Sequence, residues 1–142
     1  MKNKTSLILL LFIFSLYSYS QNKKMVNKDN ILNSEMMKSG KFIQENKHLR
    51  ATQGYYMVIK DSLRIEYSEN GKYYTKSKIT FLEHNKFNSI AFESTIPGFN
   101  HNSKEVVEVI ILETSKKENL VKIKERANKG KWTEFLLRKV ED

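Results

Sequence analysis

Short segments with the composition of β-strands follow one another from residue 41 to the end of the chain. Each is rich in β-branched and aromatic residues and is separated from the next by a few turn-forming residues. The clearest segments are Lys41–Glu45, Tyr55–Lys60, Leu63–Ser68, Tyr73–Glu83, Phe87–Glu93, Glu105–Glu113 and Leu120–Ala127. Because consecutive strands with short connections pair with their neighbours, the pattern predicts an all-β, mainly antiparallel domain over residues 40–142.

Two turns support this order of pairing. Asn70-Gly71 separates two strand segments, and both residues tolerate the positive φ angles of a two-residue type I′ turn. Asp61-Ser62 is a second turn pair. A meander of about seven or eight strands predicts a lipocalin-like up-and-down barrel or half-barrel, with a small sandwich as the alternative. Closure into a barrel would remove the exposed sheet edges that promote aggregation.

The last quarter of the chain fits two structures. Helical spacing connects Trp132, Phe135, Leu136 and Val140. Alternation over Leu120–Ala127, and of Phe135 with Leu137, instead indicates strands. We favour strands because both segments are short and continue the meander, and an α+β domain with a C-terminal helix is the alternative.

The first twenty residues have the features of a secretory signal peptide. Lys2 and Lys4 precede an apolar run over residues 6–16, and the small side chains of Ser18 and Ser20 suit a cleavage site after residue 20. A membrane anchor is the alternative, but a bilayer span needs about 20 apolar residues and this run is about half as long. We therefore expect export to the periplasm or the extracellular space, without a transmembrane span in the mature chain.

Residues 21–39 read as an N-terminal arm. Asn30 could cap a short helix that ends near Lys38, and an irregular arm is the alternative. The chain contains no cysteine, which excludes disulfides, thiolate metal sites and a cysteine nucleophile. Its 25 Lys+Arg against 16 Asp+Glu become 23 against 16 after loss of Lys2 and Lys4, a net charge of +7. The mature domain is therefore a basic one held together by its core.

Six short motifs carry a resemblance to a known group. They are Ser39–Phe42, Val58–Asp61, Ile65–Tyr67, Lys78–Leu82, Val107–Leu112 and Leu137–Val140. Over about residues 36–141 the chain resembles small secreted Bacteroidota (flavobacterial) proteins with a lipocalin-like β-meander. The resemblance implies a fold and export, but no activity, ligand or functional residue. Relatives carry a Trp and an Asp-Cys-Tyr run where this chain has Phe81 and residues 82–87, so a role of that cysteine is absent here.

No sequence motif indicates catalysis. The five glycines are isolated, which excludes a glycine-rich phosphate loop, and no GxSxG element occurs. His48, His84 and His101 lie in polar, turn-like stretches without the spacing of metal ligands. The strand carboxylates stand beside lysines, as in cross-strand ion pairs. We expect no metal, no cofactor and no enzymatic activity, and consider a hydrolase the weakest hypothesis.

Two sets of side chains are candidates for binding. Inside a barrel, five aromatic residues could line a small apolar ligand site: Tyr56, Tyr67, Phe81, Phe92 and Trp132. Four lysines interleaved with aromatic residues could bind an anion: Lys72, Lys76, Lys78 and Lys131. A filled core and a solubilising lysine coat are the structural alternatives.

These sets give two hypotheses for function. The first is a non-catalytic binding module for a small apolar ligand, and the second is an interaction protein whose Lys-rich face meets an anionic component of the cell envelope. Because the domain would lie outside the inner membrane, we expect no nucleic-acid partner. We also expect a monomer.

The signal peptide generates the first testable prediction. When the full chain is expressed in a Gram-negative host, the exported form should begin at Gln21, as read by N-terminal sequencing of the periplasmic fraction. A variant with Leu9→Arg and Leu10→Arg should stay in the cytoplasm at full length, because charges interrupt the apolar run. An exported chain that still begins at Met1 would contradict the prediction.

Overall fold

The computed structural model describes residues 25–45, 54–100, 102 and 104–141, so the signal-peptide prediction lies outside the described residues. Eight strands and two short 3₁₀ helices make up the fold. The first 3₁₀ helix spans Ser34–Met37 and the second Glu69–Gly71. The strands are β1 Gly40–Gln44, β2 Tyr56–Lys60, β3 Leu63–Ser68, β4 Tyr73–Glu83, β5 Lys86–Ser94, β6 Val106–Ser115, β7 Leu120–Ala127 and β8 Thr133–Glu141.

The eight strands form a closed antiparallel barrel. Each strand pairs with the next in sequence, and β1 pairs with β8 to close the ring. This confirms the all-β meander and the lipocalin-like barrel, and the half-barrel and sandwich alternatives are wrong. The C-terminal helix is also wrong, since β7 and β8 pair along their length from Leu120↔Arg138 to Glu125↔Thr133. A strand is favoured over a helix in this segment because it allows both Phe135 and Leu137 to be buried in the core.

One of the two predicted turns is confirmed as described, and the other differs in length. Lys60 pairs with Leu63, so Asp61-Ser62 is the two-residue turn, and both residues have positive φ (50° and 63°). The hairpin at Asn70-Gly71 is confirmed, but its loop has four residues because Ser68 pairs with Tyr73. In that loop Glu69 shares the positive φ of the Asn-Gly pair, so the type I′ prediction was wrong.

The Asp61-Ser62 turn decides which side chains face inward. It sets Ile59 opposite Arg64 and Met57 opposite Glu66. Met57 and Ile59 are buried in the core, so their cross-strand partners on β3 must also point into the barrel. The apolar face of β3, formed by Leu63, Ile65 and Tyr67, therefore lies on the outer surface of the barrel.

The N-terminal arm packs against one end of the barrel, here called the arm end. Met36 and Met37 of the 3₁₀ helix join the core cluster of the strands. The backbone N–H of Asn33 donates to Thr114 Oγ1 at 2.9 Å, and Thr114 Oγ1 donates to Asp29 Oδ2 at 2.8 Å. The predicted helix from Asn30 shortens to the four residues Ser34–Met37, since the preceding arm residues bond to β6 and not to a helical turn.

Gly40 begins β1, the strand that closes the barrel by pairing with β8. Its φ is +120°, and a Cβ built there would lie 2.5 Å from the carbonyl oxygen of Glu141 and against Lys139 Cε. The lysine side chain can move aside, but the backbone of β8 can move only by disturbing the β1–β8 pairing. Any side chain at position 40 therefore opposes closure.

We predict that Gly40→Ala lowers the free energy of unfolding by about 3 kcal/mol, from backbone strain and the clash with β8. Gly98→Ala is the matched control, since Gly98 also has positive φ (81°) but nothing lies within 4 Å of its Cβ position. Gly98→Ala should lower the free energy of unfolding by only about 1 kcal/mol. Urea denaturation of both variants tests this, and equal losses would show that the contact with β8 is unimportant.

Candidate functional site

A charged cluster crosses the interior of the barrel. Arg64 on β3 is 3% exposed, and its Nη2 donates to Glu125 Oε2 on β7 at 2.9 Å. It also donates to Glu66 Oε1 at 3.0 Å. In a ring of eight strands, β3 and β7 stand on opposite walls, so the Arg64–Glu125 ion pair spans the barrel. The interior is therefore filled by side chains at this level.

Tyr55 completes this cluster from the residue before β2. Its hydroxyl donates to Glu66 Oε1 at 2.6 Å. Burial raises the pKa of Tyr55 above its ordinary value, and the charge of Glu66 and the hydrogen bond to it act in the same direction. For Arg64, burial alone would lower the pKa, but the charges of Glu66 and Glu125 outweigh it and raise the pKa. Arg64 therefore stays charged and Tyr55 stays neutral.

A small cavity lies beside this cluster. A cavity of about 10 Å³ is lined by Gln44, Tyr55, Met57, Arg64, Ile123, Glu125, Phe135 and Leu137. This is the volume of about one water molecule. Arg64 Nε, which is buried, has no hydrogen-bond partner among the described residues. The cavity thus has the size and the polarity of a single-water site, and it has no room for a larger ligand in this conformation.

Two of the predicted ligand-binding aromatics lie on the outer face of the barrel. Tyr56 and Tyr67 stack with ring centroids 4.5 Å apart and an angle of 13° between their planes. Tyr74 continues this tyrosine ladder, 6.3 Å from Tyr67. The three residues occupy one register on β2, β3 and β4. They form a cross-strand row that stabilises the sheet from outside.

The other three aromatics are separated from that ladder. Phe81 lies at the arm end, 39% exposed, with its ring 5.4 Å from the buried ring of Phe87. Phe92 is 49% exposed beside a bulge between β4 and β5. Trp132 precedes β8 and lies over side chains of the outer face of β7. The five predicted residues therefore do not line one interior cavity.

The predicted anion-binding lysines also divide into groups. Lys76 forms an ion pair with Glu93 at 2.9 Å, and Lys72 forms one with Glu69 at 3.3 Å. Their charges are thus locally compensated. Lys78 is exposed on β4 and has no carboxylate partner among the described residues. Lys131 lies far from these three in sequence and stands next to Trp132.

Basic side chains surround Trp132. Lys124 Nζ is 4.9 Å and Arg126 Cζ 4.5 Å from the centroid of the indole ring. Lys129 and Lys131 are exposed in the loop that leads to Trp132. These five residues are here called the Trp132 face. Of these four cations, Arg126 is paired with Glu108, whose two oxygens accept from it at 3.2 and 3.0 Å. Glu134, which forms an ion pair with Lys122, lies opposite Lys124 in the register of β7 and β8.

The positive charge of this face affects the pKa of Glu108. The hydrogen bond from Arg126 lowers the pKa of Glu108, and the positive charges of Arg126, Lys86 and Lys129 lower it further. Lys124, Lys129 and Lys131 have no carboxylate partner among the described residues. A local excess of positive charge beside an aromatic ring suits an anionic partner.

The interior charged cluster was not predicted from the sequence. Tyr67 was expected inside the barrel, whereas Arg64 and Glu66 occupy the inner face of β3. One signal was present: a two-residue turn at Asp61-Ser62 places Arg64 opposite Ile59, on the inner face. On β7, Glu125 likewise shares the inward side of Val121 and Ile123.

Among the described residues, no group of three or more His, Asp or Glu side chains could hold a metal ion. Within the same part of the chain, no helix is long and apolar enough to cross a membrane. No family model, curated protein or solved structure matches the chain.

The raised pKa of Tyr55 generates a pH-dependent prediction. The tyrosine keeps its proton longer in the folded than in the unfolded protein, so its stabilising effect is complete below about pH 10 and declines as the pH rises above it. Tyr55→Phe should lower the free energy of unfolding by about 1.5 kcal/mol at pH 7 through loss of the hydrogen bond to Glu66.

Urea denaturation between pH 7 and 11 measures this effect. The difference between the native protein and Tyr55→Phe should shrink above about pH 10. Tyr67→Phe, in the outer tyrosine ladder, is the control and should show a smaller loss at pH 7. A difference that stays constant to pH 11 would contradict the proposed role of the Tyr55 proton.

Proposed function

We propose that this protein is an exported, non-catalytic binding module that engages an anionic polymer of the cell envelope through its Trp132 face. One observation carries the proposal: Lys124 and Arg126 hold the indole ring of Trp132 between strand and solvent, with Lys129 and Lys131 exposed beside it. The expected export of the chain gives the envelope as the place where such a partner is met.

The chemistry of this face suits a polysaccharide that carries carboxylate groups. Lysine ammonium groups pair with separate anionic groups along a flexible chain, and an indole ring packs against the apolar side of a sugar. The face is exposed, so binding should be weak per contact and strongly dependent on ionic strength. Several repeats of the polymer would have to bind at once for appreciable affinity.

The barrel interior is a poorer candidate for a binding site than the Trp132 face. The Arg64–Glu125 ion pair crosses the barrel interior, and the space beside it admits about one water molecule. A ligand there would have to displace a paired arginine, which would leave a buried carboxylate without its partner. The outer surface is therefore the better candidate for binding.

Polygalacturonate is a suitable probe, with neutral dextran as the uncharged comparison. The native protein should bind polygalacturonate but not dextran, and its affinity should fall by more than about tenfold between 0.05 and 0.3 M NaCl, because salt screens exposed charges. Lys129→Gln with Lys131→Gln should weaken binding at low salt by about tenfold. Isothermal titration calorimetry measures both effects.

The matched control is Lys116→Gln with Lys117→Gln, which removes the same charge from exposed lysines in the turn at the arm end. These lysines lie at the opposite end of β7 from Lys129 and Lys131. The control should retain nearly native affinity. If both double variants lose affinity equally, the binding reflects net charge alone and a specific Trp132 face is refuted. Salt-independent binding would equally refute the proposal.

A further inference from the structure

An open groove of about 710 Å³ lies at the arm end of the barrel. Its walls come from residues 38–41, from the end of β2 with the Asp61-Ser62 turn, and from Phe81 and Glu141. The volume falls in the range of about 300–1,000 Å³ that is typical of small-molecule sites. In contrast to the barrel interior, this groove has room for an organic ligand.

Phe81 provides an apolar surface in the groove, and the topology explains its exposure. β3 begins at Leu63, which pairs with Lys78, so β4 continues past the end of its neighbour. The ring of Phe81 packs against Phe87 and remains 39% exposed. Val58, which is half-buried on the outer face of β2, is a second apolar residue of the groove. A hydrocarbon chain of modest length could cover this surface.

The lysines and carboxylates of the groove are partly paired. The groove is lined by Lys38, Lys41 and Lys60 and by Asp61 and Glu141, and Lys38 forms an ion pair with Glu35 at 2.7 Å. Lys41 pairs with Glu141 at 3.0 Å, where the carboxylate side chain is 66% exposed, so the pair is weak and exchangeable. Lys60 is exposed at the end of β2 and has no carboxylate partner among the described residues.

We propose that this groove binds a single-chain amphiphile with an anionic head group. The head group pairs with Lys60, with Lys41 as a second donor, and the hydrocarbon chain lies on Phe81 and Val58. This combination follows from charge complementarity: an apolar wall alone would accept a neutral ligand, whereas the uncompensated Lys60 gives a carboxylate or phosphate head group the advantage.

The site is independent of the Trp132 face. The groove is formed by the ends of β2, β4 and β8 at the arm end, whereas Lys129 and Lys131 lie in the loop between β7 and β8 at the other end. Loss of one binding activity therefore leaves the other open to measurement. Only the amphiphile is expected to reach Gly40 and Asp61.

Backbone amide NMR spectra of the uniformly ¹⁵N-labelled mature chain test the proposal. The chain is titrated with laurate, dodecyl phosphate or 1-dodecanol, each below its aggregation limit. Laurate and dodecyl phosphate should shift the amides of Gly40, Lys60 and Asp61 and leave Gly130 unchanged. 1-Dodecanol should bind at least about tenfold more weakly, because it lacks the charge that pairs with Lys60.

Two variants separate the head group from the hydrocarbon chain. Lys60→Gln should lower the affinity for laurate by about fivefold and leave the affinity for 1-dodecanol unchanged, because only the ionic contact is lost. Ser39→Trp places a large ring in the groove from an exposed position, so it should abolish binding of all three probes without disturbing the core. Lys116→Gln is the control and should bind laurate with native affinity.

Three results would overturn the proposal. One is equal affinity for laurate and 1-dodecanol, which would remove the role of the anionic head group. Another is native laurate affinity in Ser39→Trp, which would place the ligand outside the groove. The third is the absence of shifts at Gly40, Lys60 and Asp61 at laurate concentrations up to its aggregation limit. None of these results bears on polygalacturonate binding.

Discussion

The ion pair between Arg64 and Glu125 determines what this barrel can do. It connects opposite walls, and Glu66 and Tyr55 surround the same guanidinium. Buried charges lose their hydration, so each must keep its partner, and moving any member of the cluster is costly. The barrel interior is therefore a packed core with a polar layer, and for this reason the proposed binding surfaces lie on the outside.

The Trp132 face and the groove at the arm end both present accessible aromatic and charged side chains, and both lie where strands end. Trp132 lies just before β8 and packs over the cations of β7, while Phe81 is exposed because β4 extends beyond β3. The regular middle of the sheet is different, because its outer charges and rings mostly contact each other. Lys76 with Glu93, and the tyrosine ladder, are examples of such compensation.

Much of the fold could be predicted from the sequence, but the positions of the candidate binding residues in the barrel could not. Strand boundaries followed from alternating β-branched and aromatic residues, and β7 was predicted to the residue. The five predicted aromatic residues do not line one cavity. Tyr56, Tyr67 and Trp132 were placed in the interior because aromatic residues are common in protein cores. Rings with an apolar body and a polar tip occur both in cores and in outer rows flanked by lysine stems, and composition does not distinguish the two.

By itself, the sequence determined an all-β meander of consecutive antiparallel strands, since short polar turns leave each strand only its neighbour to pair with. Only the tertiary structure decided which face of each strand is inside. A shift of one residue in register exchanges the two faces, and the two-residue turn at Asp61-Ser62 together with the β1–β8 closure fixed that register. That choice placed Arg64 within the barrel and the tyrosines outside it.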